Sequence, residues 1–162
     1  MKKFDIFTDG SHLDKQHNGR LGVGAVLVDR DSGTPISEYS TELSKQYMEV
    51  KFGAKECSNP TAEMVAVLHA LLHFKKELQG ASEVTVYADF IGVKEWLEGN
   101  WKINEPYIRK IRDEIEGEIK KQGISGKIKF SWVKGHQTKK QARVDPYQAK
   151  WNDYVDKLAK GE

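Results

Sequence analysis

Three acidic side chains stand where a chain folds its chemistry most easily. Asp9 closes the run "KFDIFTD", Asp89 closes "EVTVYAD", and Glu63 sits at the head of "SNPTAEMVAVLHALLHF", residues 58–74, beside an apolar stripe of Met64, Val67, Leu68, Leu71 and Leu78 at helical spacing. Carboxyl ends of strands in α/β sheets are where ligands gather, because loops and helix N-termini converge there. Each acid also has a plain reading. Asp89 would cap the next helix, Glu63 would be a first-turn acid favoured by the helix dipole, and Asp9 would open a turn before Gly10. Brought together, however, the three would repel one another and push their pKa values up. A divalent cation relieves that repulsion. Hard oxygen ligands without Cys or His suit Mg²⁺ beside phosphate oxygens, with Mn²⁺ as a substitute, and the chemistry implied is phosphoryl transfer.

The elements that must hold these acids are read from period and punctuation. "KFDIFTD" (3–9), "LGVGAVLVD" (21–29) and "TPISEYSTEL" (34–43) are predicted as strands of an antiparallel meander. A helix starting near Pro60 or Thr61 carries Glu63 in its first turn. "EVTVYAD" (83–89) is a strand covered on both faces and parallel to its neighbour, since a long helix precedes it. "IGVKEWLEG" and "EPYIRKIRDEIEGEIKKQG" read as helices, the second ending at Gly123; "GKIKFSWV" (126–133) reads as a strand and "AKWNDYVDKLAK" (149–160) as a closing helix. The order β-β-β-α-β-α-α-β-α predicts an α/β fold, a mixed five-stranded sheet flanked by helices. Residues 134–148 are the least periodic stretch.

Bulk properties set bounds. A chain of 162 residues with 38% hydrophobic residues fits one domain over 1–162. With 26 Lys and Arg against 24 Asp and Glu, net charge does not argue for nucleic acid; only distribution can. No apolar run approaches the roughly 18 residues that span a bilayer, and "MKKFDIFTDG" lacks a signal peptide's apolar core. The expectation is a mature cytoplasmic protein without a membrane, a monomer with no obligate protein partner. Cys57, the lone cysteine, has no disulfide partner and no metal-binding neighbours.

Five short motifs, in order, resemble those of the type I ribonucleases H: "FTDGS" with Asp9, "SNPTAEMVAVLHAL" with Glu63, "VTVYADF" with Asp89, "SWVKGH" with His136 and "WNDYVDKLA" with Asp156. The resemblance spans nearly the whole chain. It implies a ribonuclease H-like fold, a site of Asp9, Glu63, Asp89 and Asp156 holding two Mg²⁺ ions, and cleavage of the RNA strand of an RNA–DNA hybrid. Two ions about 3.5–4 Å apart activate the attacking water and stabilise the leaving 3′ oxygen. Glu63 would then lie at the core's edge so that a rigid helix holds an acid against ions shared with the strands.

The fourth acid is not chosen by periodicity. Trp151, Val155 and Leu158 mark the apolar stripe, while Asp145, Asp153 and Asp156 are all available. The family pattern of an Asn four residues before the acid and "LA" just after it fits "NDYVDKLA" and selects Asp156. By resemblance His136 is an auxiliary proton shuttle or product-release residue, a role that an imidazole pKa near 6.5 permits. Gly10, Ser11, Asn18, Ser58 and Asn59 fall where the family meets ribose or phosphate.

Basic residues cluster in "WKINEPYIRKIR" and "KGHQTKKQAR", where Lys and Arg would neutralise phosphate; the helix from Glu105 also carries acids and reads more simply as a solvated face. The sequence departs from the family at Phe90, Pro60 and Thr61, and "TKKQARVDPYQ" lengthens the segment between His136 and Asp156. Two other functions compete: a hybrid-binding module that does not cut, and a DNA-processing nuclease of the same broad fold.

Overall fold

Strands form where β-branched and aromatic runs are broken by Gly, Asn, Asp and Pro. The computed structural model describes residues 2–12, 20–135 and 137–162. In it β1 (Lys3–His12), β2 (Leu21–Asp29), β3 (Thr34–Leu43), β4 (Glu83–Ala88) and β5 (Ile128–Trp132) form one five-stranded sheet in the order β3-β2-β1-β4-β5. β1, β2 and β3 pair antiparallel; β4 lies parallel to β1 and to β5. This is the predicted mixed sheet. A tight loop joins β2 to β3, with Gly33 at φ +69°, whereas β4 and β5 are each entered through helices, as parallel pairing requires.

The helices are α1 (Lys45–Phe52), α2 (Asn59–His73), α3 (Lys75–Leu78), α4 (Ile91–Leu97), α5 (Pro106–Gln122), α6 (Lys139–Ala142) and α7 (Pro146–Ala159). Three of them, α1, α3 and α6, are absent from the expected order. The helix expected to reach Leu78 breaks at Phe74, the C-cap of α2. Because α2 begins at Asn59, Glu63 is its fifth residue and lies beyond the first turn. The closing helix starts earlier than predicted, at Pro146, capped by the Asp145 carboxylate accepting from the Gln148 N–H at 3.0 Å.

Two cores flank the sheet. On one face Phe4, Ile6, Val23, Ala25 and Leu27 meet Met64, Val67 and Leu71 of α2, which packs in turn on Ile108, Ile111, Ile115 and Ile119 of α5. Each fully buried Ile contributes roughly 1.5–3 kcal/mol. On the other face Phe7, Val26 and Val28 pack against Trp151 and Val155 of α7. The first turn of α7 is also pinned by polar contacts. Asp5, 1% exposed, accepts from the Tyr147 hydroxyl at 2.7 Å and from Arg30 Nε at 3.0 Å, and Arg30 Nη2 donates to Thr85 Oγ1 at 2.8 Å. A buried carboxylate is tolerated because both its oxygens are paired. Burial and the bond to Asp5 push the Tyr147 phenol well up.

Candidate active site

The site is built by the register of two parallel strands. β1 and β4 run together until Thr8 pairs with Ala88, so Asp9 and Asp89 are the next residue on each. Asp9 does not end its strand, as the sequence suggested. β1 continues through Gly10 and Ser11, which pair with Val23 and Gly22 of β2.

Alternation along β1 sends Phe7 towards α7, and Asp9, two residues on, follows it. Opposite Asp9 in the antiparallel pair is Gly24, where a Cβ would lie 2.8 Å from the Ala159 backbone nitrogen of α7. Gly10 faces the other way. A Cβ there would fall 2.2 Å from the Ala62 carbonyl carbon and 2.6 Å from the Glu63 nitrogen. α2 therefore lies directly on the bare backbone of Gly10, which lets the Glu63 carboxylate reach Asp9 from the far side of the sheet. Gly10→Ala is expected to destabilise the fold by about 3 kcal/mol or more, since backbone must move to admit the methyl group; urea unfolding measures it, and a loss near zero would mean that α2 shifts freely.

One oxygen from each of Asp9, Glu63 and Asp89 lies within 4.8 Å of the others. The Gly10 N–H donates to Glu63 Oε1 at 2.8 Å and to Asp9 Oδ1 at 3.0 Å. Glu63 Oε2 is buried and, among the described residues, has no donor. Burial, the Asp9 side chain and the Asp89 charge push Glu63 well up. Burial likewise raises Asp9 to about 7, against a lowering bond from Glu63, with the charges of Asp89 and Asp156 adding to the rise. Without metal, both carboxyls thus hold a proton more strongly than an ordinary carboxylate does. A cation would replace it.

Asp156 lines the same cleft of about 450 Å³, together with Asp9, Ser11, Asn59, Glu63 and Asp89. Its Oδ2 is 3.0 Å from Lys160 Nζ, and its side chain is 19% exposed. Asp153 does not line this cleft; it borders an adjoining cavity, is 68% exposed and pairs with Lys157 at 3.3 Å.

The RNase H family model matches residues 1–162. The chain belongs to the RNase H family. Its members are ribonucleases, generally dependent on divalent metal, and the acidic group of Asp9, Glu63 and Asp89 has the oxygen donors and the orphaned Glu63 Oε2 to accept such an ion. The chain is similar to a ribonuclease H of Actinobacillus pleuropneumoniae serotype 5b (strain L20), 29% identical over 167 residues covering 99% of this chain and 90% of that protein. In fold it is similar to RNase H1 of the halophilic archaeon Halobacterium salinarum NRC-1, with TM-score 0.69, 20% identity, and coverage of 96% and 93%. LC11-RNase H1, solved in complex with an RNA/DNA hybrid, matches at TM-score 0.66 and 22% identity over 90% of this chain and 93% of that one.

Against the RNase H expectation, the four carboxylates converge, and Ser11 and Asn59 lie beside them. Asn59 Oδ1 accepts from the His12 N–H at 2.7 Å, tying α2 to the end of β1. Ser58 lies apart. It faces a neighbouring cavity of about 340 Å³ with Trp96, Lys102 and Tyr107, and its hydroxyl is 3.2 Å from that of Thr61. Asn18 and His136 lie outside the described residues. Two groups were missed in the sequence. Lys160 sits one helical turn beyond Asp156, an i,i+4 signal open to reading. Gly135 passes so close to Asp89 that a Cβ would be 2.8 Å from Oδ2. Asp89 does not cap α4, whose N-cap is Phe90; instead Trp132 Nε1 donates to the Asp89 carbonyl at 2.9 Å, holding the strand end from β5.

Among the described residues no helix is long and apolar enough to cross a membrane.

Proposed function

We propose that the chain is an endoribonuclease that hydrolyses the RNA strand of RNA–DNA hybrids, with two divalent cations, Mg²⁺ or Mn²⁺, held by Asp9, Glu63, Asp89 and Asp156. The observation that carries the reading is the packing of three carboxylates within 4.8 Å, two of them buried, with a fourth in the same cleft. Like charges are held together at such a site for a positive ligand. When bound, the ions would supply an activated water and neutralise charge on the departing 3′ oxygen.

The protein's own part is positional. The Gly10 N–H fixes one oxygen of Glu63 and leaves the other aimed for a cation. Asp9 and Asp89 are set by strand register rather than by mobile loops. Asp156 must yield its Lys160 partner to serve as a ligand. Ser11 and Asn59 flank the acids where a ribose or a phosphate would pass, and His136 joins the proposal through the family motif as a proton shuttle or an aid to product release. A hybrid substrate is supported by the relative solved with one.

Labelled RNA–DNA hybrid, duplex DNA and single-stranded RNA, each incubated with Mg²⁺ or with chelator, test the reading. Cutting is expected in the hybrid alone, only with metal, and with 5′-phosphate and 3′-hydroxyl ends. A 2′,3′-cyclic phosphate would make the 2′-hydroxyl the nucleophile and overturn the water attack. Tight hybrid binding without cutting would make the chain a binding module.

A further inference from the structure

Strand register places Asp9 and Asp89, and the contact of α2 with Gly10 places Glu63, but Asp156 is carried by α7. Where its carboxylate goes depends on the height of α7 above the sheet and on its roll about its own axis. Height is set at one row of the sheet. Asp9, Gly24 and Ser40 are register partners across β1, β2 and β3, and at the bare Gly24 a Cβ would lie 2.8 Å from the Ala159 nitrogen, the Leu158 Cβ and the Val155 carbonyl oxygen. The last turns of α7 therefore rest on that row. Roll is held differently. Trp151 and Val155 are buried against Phe7, Val26 and Val28, but apolar burial is non-directional. Directional bonds come from the edge strand. The Ser40 hydroxyl donates to the Leu158 carbonyl at 2.7 Å, and the Tyr154 hydroxyl donates to Glu38 Oε1 at 2.8 Å. Glu38 and Ser40 share one face of β3, opposite to Tyr39, whose hydroxyl lies 3.2 Å from His69 Nδ1 of α2.

An α-helix turns by about 100° per residue. Tyr154 and Leu158 thus share one row along α7, and Asp156, midway between them in sequence, stands nearly opposite that row and lines the acidic cleft. Two bonds on the far side of the helix therefore govern the direction of a carboxylate on the near side. We propose that Glu38 and Ser40 of β3 are positioning residues for Asp156: through Tyr154 and Leu158 they fix the roll of α7 and hold the Asp156 carboxylate towards the cation it shares with Asp9. Neither residue is among those lining the cleft, so they act through the helix alone. The inference deepens the proposed hybrid cleavage and rests on it.

The test uses Ser40→Ala and Tyr154→Phe, both at exposed positions. Each is expected to lower the melting temperature in chelator by only about 2–4 °C. Mn²⁺ binding to the hybrid-free protein, followed by calorimetry, is expected to weaken about threefold to tenfold in each variant, the effect of one neutral hydrogen bond. The Mg²⁺ concentration for half-maximal hybrid cleavage should rise by a similar factor, while KM for the hybrid at saturating Mg²⁺ stays unchanged. Ser40→Thr keeps the hydroxyl and should keep the unaltered values. On an Asp156→Asn background neither substitution should change Mn²⁺ binding or the residual rate further, because the group they position has already been lost. Lower melting temperatures with an unchanged metal requirement would reduce the two bonds to packing and overturn the proposal. Equal losses with and without Asp156→Asn would overturn it as well. Failure of the unaltered protein to cut hybrid would instead overturn the proposed function, whereas the Mn²⁺ titration would still decide the positioning of Asp156.

Discussion

Asp9→Asn is expected to abolish hybrid cleavage while leaving the metal-free protein as stable as before, or more stable. The substitution keeps the side chain's shape and removes one negative charge from a buried group of acids. Burial and the neighbouring carboxylates raise Asp9 to about 7 from 3.8. Stability carried by such a group is fully present below its unfolded pKa and is lost as pH rises through its folded one. In chelator the unaltered protein is therefore expected to lose stability between pH 4 and about 7, with Asp9 contributing roughly 4 kcal/mol and the raised Glu63 adding to the loss. The Asn variant should lose less over that range, because Asp9 no longer titrates while burial still raises Glu63. His69 works in the opposite sense, because burial and Lys51 lower its pKa from 6.5, but both proteins carry it, so their difference isolates the carboxylates. Melting temperatures in chelator at pH 5 and pH 8 provide the measurement. Mg²⁺ at pH 8 should then raise the melting temperature of the unaltered protein more than that of the variant, since a ligand that binds only the folded state stabilises in proportion to its affinity. A melting temperature that collapses in the variant without metal would make Asp9 a structural residue.

What could be read in the sequence follows from what each element asks of its residues. β2 and β3 have the predicted bounds, because apolar or alternating runs end sharply at Gly, Asp or Pro. α5 closes at Gly123, in the left-handed conformation at φ +72°, as its pattern foretold. α1 escaped notice because only Met48 and Phe52 are buried and the rest of its surface is solvated. Its start and stop signals were nevertheless present: the Ser44 hydroxyl accepts from the Tyr47 N–H at the N-cap, and Gly53 takes φ +75° at the C-cap. The break at Phe74 was hidden for the opposite reason. Phe74 and Leu78 are both buried, so the apolar pattern continues across a change of backbone. α6 has no buried residue at all, and its capping box of Thr138 and Gln141 is its only local signal.

The site was more legible than the helices around it, because Asp9, Glu63 and Asp89 sit at motif positions that do not depend on element bounds. Their convergence, however, rests on features that no periodicity reports. Gly10 was read as a substrate contact. It also lines the cleft, but the bare backbone that it offers to Ala62 of α2 is what brings Glu63 across the sheet. The partner of Asp156, by contrast, is an i,i+4 pair that the sequence itself offers, although Lys160 lies beyond the motif that identified the acid.

Asp156→Asn is expected to lower hybrid cleavage by at least about two orders of magnitude, consistent with losing a ligand to one of two catalytic ions. Three acids of the closing segment compete for that role, and the structure separates their surroundings. Asp145 caps α7 through the Gln148 N–H at 3.0 Å. Asn caps as well as Asp, so Asp145→Asn should change activity less than about threefold and stability little, whereas Asp145→Ala should cost about 1 kcal/mol. Asp153 is exposed and its pairing with Lys157 is an i,i+4 surface contact, the kind that is worth about 0.3–0.5 kcal/mol. Asp153→Asn should therefore also change activity less than about threefold. Asp156 alone among them lines the cleft with Asp9, Glu63 and Asp89, and its charge is felt by Asp9. It also holds the Lys160 ammonium, so Asp156→Asn frees a cation beside the remaining acids. Part of the lost charge is offset there, and the metal-free variant should melt within a few degrees of the unaltered protein. The activity loss should thus appear without a stability loss, and the Mg²⁺ concentration needed for half-maximal rate should rise. If Asp153→Asn inactivates the enzyme and Asp156→Asn spares it, α7 meets the sheet almost a full turn out of the register described here.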